Sequence, residues 1–205
     1  MNRELTKMIK GERLIDDLFS ARRADPDQFT FDISEHLGYI KSVASNGPIR
    51  QVVEFGCRTG NSTLALLSGL SEGAKMFSYD IEDCPHKQII KHAAKLAGID
   101  WQFCLEPSHS CKQDADLVFI DSWHSYDQVK EELNIVKGMK SVSDIIFHDT
   151  ELFGWFGQRD KRQGSGILPA ILRFMCDDLH QRKKGWVIYN YFRNNNGLLH
   201  IKSIE

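Results

Sequence analysis

Asp121, His124, His148 and Asp149 are well placed for chemistry, because each stands at or just past the end of a short apolar run. Asp116-Leu117-Val118-Phe119-Ile120-Asp121 delivers one carboxylate and is followed by Ser122-Trp123-His124-Ser125-Tyr126-Asp127. Asp144-Ile145-Ile146-Phe147-His148-Asp149 delivers a second, with Thr150 behind it. Two carboxylates and the Thr150 hydroxyl are hard oxygen donors of the kind Mg2+ takes, with waters and substrate completing the shell. The nearby imidazoles would instead suit a softer transition metal. A third reading needs no metal, with Asp121 and Asp149 accepting hydrogen bonds from helix N-termini. His124, three residues past Asp121, is the candidate general base, since an imidazole titrates near neutral pH. His148 precedes Asp149 on a strand whose side chains alternate, so it is expected to point away and to be structural.

A second constellation lies upstream in Val52-Val53-Glu54-Phe55-Gly56-Cys57-Arg58-Thr59-Gly60-Asn61-Ser62-Thr63, a pattern of buried strand, glycine turn and helix start. Gly56 and Gly60 let the backbone approach a ligand closely, and Ser62 or Thr63 is expected to cap the helix carrying Leu64, Leu66 and Leu67. A dinucleotide turn needs a small residue where Arg58 stands, and no anion facing the pyrophosphate. Glu54 would repel phosphate but suits a cationic, zwitterionic ligand such as S-adenosylmethionine (SAM). No G-x-x-x-x-G-K-[ST] motif is present, which disfavours a nucleoside triphosphate. Lys75-Met76-Phe77-Ser78-Tyr79-Asp80 is the next strand, and Asp80, about 20 residues past Gly60, is spaced to reach a ribose diol. The blander readings are an ordinary strand-to-helix turn and, for Asp80, a helix N-cap. Glu106 and Ser108, after the third strand, are expected to flank the adenine.

The elements that must position these residues alternate along the chain. A helical pattern over residues 33–45, closed by Asn46-Gly47-Pro48, leads into a strand at 51–55. Strands at 76–80, 100–105, 116–121 and 144–148 interleave with helices at 87–97, 125–136 and 167–179, which predicts an α/β fold with a parallel sheet covered on both faces. Two β-rich runs, 186–192 and 198–204, flank Arg193-Asn194-Asn195-Asn196-Gly197, whose Asn-Gly marks a hairpin. The sheet is therefore expected to have seven strands, mostly parallel, with an antiparallel last strand. Ligands of such sheets bind at the carboxyl ends of the strands, where Glu54, Asp80, Asp121, His124, His148 and Asp149 all fall.

The chain has 205 residues with 41% hydrophobic content and a formal charge of −2. That allows one substantial core and provides no global field for nucleic acid or an acidic membrane. Residues 1–33, with apolar positions at Leu5, Met8, Ile9, Leu14, Ile15, Leu18 and Phe19 and a polar break at residues 24–28, are expected to be a helical extension or lid on a domain spanning 34–205. Its five cysteines form no C-x-x-C pair, and no export signal or long apolar run is visible, which points to a cytoplasmic protein. Residues 152–166 carry Trp155, Gly157, Gly164 and Gly166 among Arg159, Lys161 and Arg162, the composition of a mobile substrate loop that would suit an anionic acceptor. The alternative for those charges, as for Arg182 to Lys184, is solvated surface.

Taken together, these residues resemble the class I SAM-dependent methyltransferases. Residues 54–60 match the first motif and Asp80 the ribose acid. Phe119-Ile120-Asp121-Ser122-Trp123-His124 is similar to the metal and base segment of catechol O-methyltransferase. In that likeness Asp121 and Asp149 are the metal acids, His124 stands where that enzyme keeps a catalytic lysine, and Thr150 replaces a metal-binding asparagine. The run Asp121, His124, Ser125, Tyr126, then His148, Asp149, Thr150, then a helix after Gly166, then Asn196-Gly197, resembles more closely the small bacterial group of macrocin O-methyltransferase and the cephalosporin hydroxylases. The likeness extends over residues 35–204. It implies a Rossmann-like three-layer sandwich in which Glu54, Gly56, Arg58, Gly60, Ser62, Asp80, Glu106, Ser108 and Asp121 bind SAM. It also implies Mg2+ on Asp121, Asp149 and Thr150, Asp121 and His124 in catalysis, a small-molecule acceptor, and a homo-oligomer as a further expectation. The competing readings are a non-catalytic SAM or nucleoside-binding module and a dinucleotide oxidoreductase, the latter opposed by the Gly56 to Gly60 spacing.

Overall fold

The computed structural model describes residues 14–18, 20, 33–158, 165–180 and 185–204. Leu5, Met8, Ile9, Phe19, the break at 24–28 and both basic clusters lie outside the described residues.

Seven strands form one sheet: β1 (Gln51–Phe55), β2 (Lys75–Asp80), β3 (Asp100–Leu105), β4 (Leu117–Ile120), β5 (Asp144–His148), β6 (Gly185–Phe192) and β7 (Leu198–Ile204). Their order is β3-β2-β1-β4-β5-β7-β6. Strands β1 to β5 pair in parallel, whereas β7 is antiparallel to both neighbours, β5 and β6. The direction of growth reverses between β1 and β4, so a crevice opens beyond their carboxyl ends.

Period-two alternation sends successive strand residues into two separate cores. Val52, Met76, Trp101, Phe119 and Ile146 pack with α1 (Leu37–Ser45), α2 (Asn61–Gly69) and α3 (Lys87–Leu96). Val53, Phe55, Phe77, Val118, Ile145 and Phe147 face the other way, against α4 (Tyr126–Val136) and α5 (Ile167–His180). The helices present matching stripes: Ile90, Ala93 and Ala94 on α3, Val129, Leu133 and Val136 on α4, and Ile167, Ala170, Ile171 and Phe174 on α5. Their spacing of three and four residues is that of one helical face. Phe55, Phe119 and Phe147 have no exposure at all, each contributing about 2–3 kcal/mol of apolar burial. The expected α/β sandwich, including its single antiparallel strand, is what the chain forms.

One local expectation and one alternative reading are corrected. Neither Ser62 nor Thr63 caps α2, whose N-cap is Gly60 in the left-handed region without a side-chain cap. Asp80 caps no helix either, because α3 starts at Lys87 with His86 at its N-cap. Ser125, expected as the first helical residue, is instead the N-cap of α4, its hydroxyl accepting from the Gln128 amide. From the N-terminal segment, Ile15 is buried among the α1 and α2 side chains, and Asp16 pairs with Lys41 at 2.6 Å.

Candidate active site

Backbone bonds continue past the strands and define the crevice. Gly56 N donates to Tyr79 O at 2.9 Å and Asp121 N to Phe55 O at 2.8 Å, holding the ends of β2, β1 and β4 side by side. The close approach needs a glycine: a Cβ on Gly56 would lie 2.1 Å from the Asp121 carbonyl oxygen, and its φ is +90°. The turn then folds over the Asp80 carboxylate, whose Oδ2 accepts from the Cys57 and Arg58 amides, both at 2.8 Å, while Oδ1 accepts from Glu82 N at 2.9 Å. Arg58 takes a φ of +47° to make this wrap.

Beyond the turn lies a cavity of about 560 Å3. Gly56, Arg58 and Asp80 form one wall, Pro107 and Ser108 a second, and Asp121, His124 and Asp149 the floor at the end of β4 and β5. The floor is a compact ionic cluster. His124 Nε2 lies 3.2 Å from Asp121 Oδ1 and 3.0 Å from Asp149 Oδ2, and its Nδ1 lies 3.0 Å from Gln158 Oε1. The ring stacks on Phe153 with centroids 5.0 Å apart. Burial alone would lower the His124 pKa, but hydrogen bonds to Asp121 and Asp149, and their charges, overcome it and push it up to about 10. Burial likewise opposes ionisation of Asp121, yet His148 and His124 hold its carboxyl below the usual range. As the side chains stand, His124 is the cation that balances the two acids.

Asp149 adopts a φ of +60°. Left-handed backbone is tolerated by aspartate better than by most residues, and here it ends the alternation of β5. His148 and Asp149 therefore do not point apart as expected: His148 Nδ1 lies 3.3 Å from Asp121 Oδ1 and 3.6 Å from Asp149 Oδ1. Asp121, His148 and Asp149 bring three ligand atoms within 4.8 Å of one another. Thr150 is fully buried, and its hydroxyl abuts the hairpin, where a Cβ on Gly197 would lie 2.8 Å from it. The turn after β5 hangs on that hairpin, with Glu151 N and Leu152 N donating to Asn196 O at 2.8 and 3.1 Å.

A family model described as "Methyltransferase domain" matches residues 53–150. That segment is similar to a methyltransferase domain. The methyltransferase PaMTH1 of Podospora anserina, solved with S-adenosylhomocysteine (SAH), aligns over 100% of this chain and 97% of its own, at 16% identity and a TM-score of 0.60. The O-methyltransferase TomG of Streptomyces achromogenes, involved in tomaymycin synthesis and solved with SAM, aligns over 100% and 91% at 13% identity and a TM-score of 0.61. An O-methyltransferase from Bacillus cereus in complex with SAH aligns over 95% and 91% at 14% identity and a TM-score of 0.57. No curated protein matches the chain by sequence. At these identities the structures share the fold.

Of the sequence candidates, the fold brings Gly56, Arg58, Asp80, Ser108, Asp121, His124 and Asp149 to the cavity. It does not bring Glu54 there. That residue shares a strand face with Val52, so it points under α2, where its carboxylate accepts from Ser62 Oγ (2.6 Å), Thr63 Oγ1 (2.8 Å) and Ser78 Oγ (2.6 Å). The two hydroxyls expected to cap α2 are thus spent on Glu54. Gly60 shapes the turn behind the wall, Ser62 and Thr150 are buried outside the lining, and Glu106 is exposed to solvent. Sequence reasoning missed Gln128, which lines the cavity and donates to Ser108 Oγ at 2.9 Å, and Gln158, the partner of His124. Gln128 stood three residues past the Ser125 cap, a position that could have been projected toward the strand ends. It missed Ile81 too, 75% exposed beside Asp80, where an apolar side chain in solvent was a visible signal.

Proposed function

We propose that this methyltransferase domain transfers the methyl group of SAM to a hydroxyl oxygen of a small-molecule acceptor. The observation that carries the reading is His124 Nε2 held between Asp121 and Asp149 on the cavity floor, opposite the glycine turn and Asp80. The cavity has the size of a small-ligand site, and the bare backbone at Gly56 leaves room that a Cβ would fill. SAM, when bound, supplies an activated methyl group on its sulfonium. The chain's part is to seat the nucleoside along Asp80 and Ser108, to hold the acceptor oxygen in line with the methyl, and to take the acceptor's proton on His124. A divalent ion also fits, because Asp149 Oδ1 is buried without a hydrogen-bond partner and Asp121 stands beside it. Such an ion would be held by these two acids and would lower the pKa of the acceptor hydroxyl. The proposal extends to a cytoplasmic homo-oligomer acting on small molecules, with neither nucleic acid nor membrane as partner. No helix among the described residues is long and apolar enough to cross a membrane.

One experiment separates this reading from a non-catalytic SAM-binding module. Calorimetry with SAM and SAH is paired with transfer of labelled methyl from SAM to a panel of hydroxylated acceptors. We expect both nucleosides to bind, NAD not to bind, and Asp80→Ala to weaken binding at least tenfold. His124→Ala should cut turnover by on the order of 10² to 10⁴ while leaving SAM affinity unchanged. With its pKa raised, the wild-type rate should climb from neutral pH toward 10, and the variant should lack that climb. Tight SAM binding without turnover on any acceptor would favour the binding module.

A further inference from the structure

We propose that His148 is the third protein ligand of the metal site, making it selective for a divalent first-row transition ion over Mg2+. This deepens the metal-assisted half of the reading above and shares its residues Asp121 and Asp149.

The argument starts from which atoms are already engaged. Asp149 divides its carboxylate, with Oδ2 at 3.0 Å from His124 Nε2 and Oδ1 buried without a hydrogen-bond partner. The Asp149 side chain is 5% exposed and that of His148 is 1%. An unpartnered carboxylate oxygen in such a place keeps its full desolvation cost, which a cation would remove. The atom nearest to hand is His148 Nδ1, 3.6 Å from Asp149 Oδ1 and 3.3 Å from Asp121 Oδ1. An octahedral ion about 2.1 Å from each donor places adjacent donors about 3.0 Å apart, so both spacings close on an ion with shifts of a few tenths of an ångström. His124 keeps Asp149 Oδ2 while the ion takes Oδ1, so on Asp149 the two cations use different atoms; Asp121 Oδ1 faces both, 3.2 Å from His124 Nε2 and 3.3 Å from His148 Nδ1.

The donor set then decides the metal. Mg2+ is a hard ion that keeps its waters and takes oxygen ligands. A nitrogen with two carboxylates suits Mn2+, Fe2+ and the later first-row ions, whose affinities rise along that series. The chain reaches this set by the left-handed turn of Asp149, which brings consecutive residues of β5 to the same point. Thr150, the third ligand implied by the likeness to catechol O-methyltransferase, lies against Gly197 instead.

Titration of the full-length protein with Mn2+ and with Mg2+ by calorimetry tests the proposal, together with pulsed EPR of the bound Mn2+. We expect Mn2+ to bind at least tenfold more tightly than Mg2+, with a directly coordinated ¹⁴N in the EPR modulation. His148→Gln should bring the two affinities to within about threefold and erase the nitrogen signal, whereas His124→Gln should retain it. Asp121→Asn should weaken both ions. Equal affinities in the wild type, or a nitrogen signal absent there or surviving in His148→Gln, would overturn the assignment. If His148→Gln does not fold, the wild-type spectrum and its persistence in His124→Gln decide. None of these readouts involves methyl transfer, so failure to bind SAM would sink the function proposed above and leave this one standing.

Discussion

Three hydroxyl groups surround the Glu54 carboxylate, and the residue has no solvent exposure. Burial pushes its pKa up to about 7 from an ordinary 4.5, with the Ser62, Ser78 and Thr63 hydrogen bonds only partly opposing it. The folded chain therefore holds a proton here that the unfolded chain gives up. Stability from this group is fully present below pH 4.5, declines as pH rises through about 7, and is flat above that. The span corresponds to on the order of 3 kcal/mol. Chemical denaturation at pH 5, 6, 7 and 8 should show wild type losing stability relative to Glu54→Gln, which carries no ionisable group at this position. Parallel profiles for the two proteins would mean that Glu54 is ionised throughout. The same chemistry changes its functional meaning: a carboxyl half-neutral near pH 7 under α2 supports the turn from below, and Arg58 and Asp80 remain the charged groups that a ligand meets.

Strands β1, β3, β5 and β7 begin and end where the apolar pattern suggests: burial on both faces constrains nearly every side chain of β1 and β5, whereas β3, at the sheet edge, mixes buried with exposed positions. The convergence of Asp121, His124 and Asp149 was legible for the same reason, since strand ends of a parallel sheet must meet. Orientation was less so. His148 turns toward the acids because Asp149 leaves the β region at φ +60°, a backbone event that the residue's identity permits but does not announce. Glu54, by contrast, could have been placed from its period-two relation to Val52 and from the hydroxyls of Ser62, Thr63 and Ser78. At this scale the junction of β1 with β4 makes its own prediction. Gly56→Ala puts a Cβ within 2.1 Å of the Asp121 carbonyl at a φ of +90°, so β1 and β4 must part at their carboxyl ends. We expect a loss of about 2–4 kcal/mol in denaturation and SAM binding weakened by more than tenfold. A variant of unchanged stability and affinity would mean that the crevice is not pinned at this point.

Across the whole molecule, the β6–β7 hairpin reaches back to the site from far along the chain. Asn196 O holds the turn after β5, Asn196 lines the cavity, and Asn194 O meets His36 Nε2 at 3.0 Å across 158 positions. Gly197→Ala places a Cβ 2.5 Å from Glu151 N. It should lower thermal stability and weaken SAM binding together, whereas Ser125→Ala, which removes a helix cap, should cost about 1 kcal/mol and leave binding intact. Losses of the same kind in both variants would show that the hairpin has no privileged link to the cavity. The arrangement also bears on how the molecule matures. Strands β1 to β3 each pair with the strand before or after them, but the floor of the cavity waits for β7 to slot between β5 and β6, a closure of long loops whose entropy must be met first. In refolding, fluorescence of the core should recover ahead of the capacity to hold a nucleoside, so ligand capture serves as a clock for the last long-range contact to form.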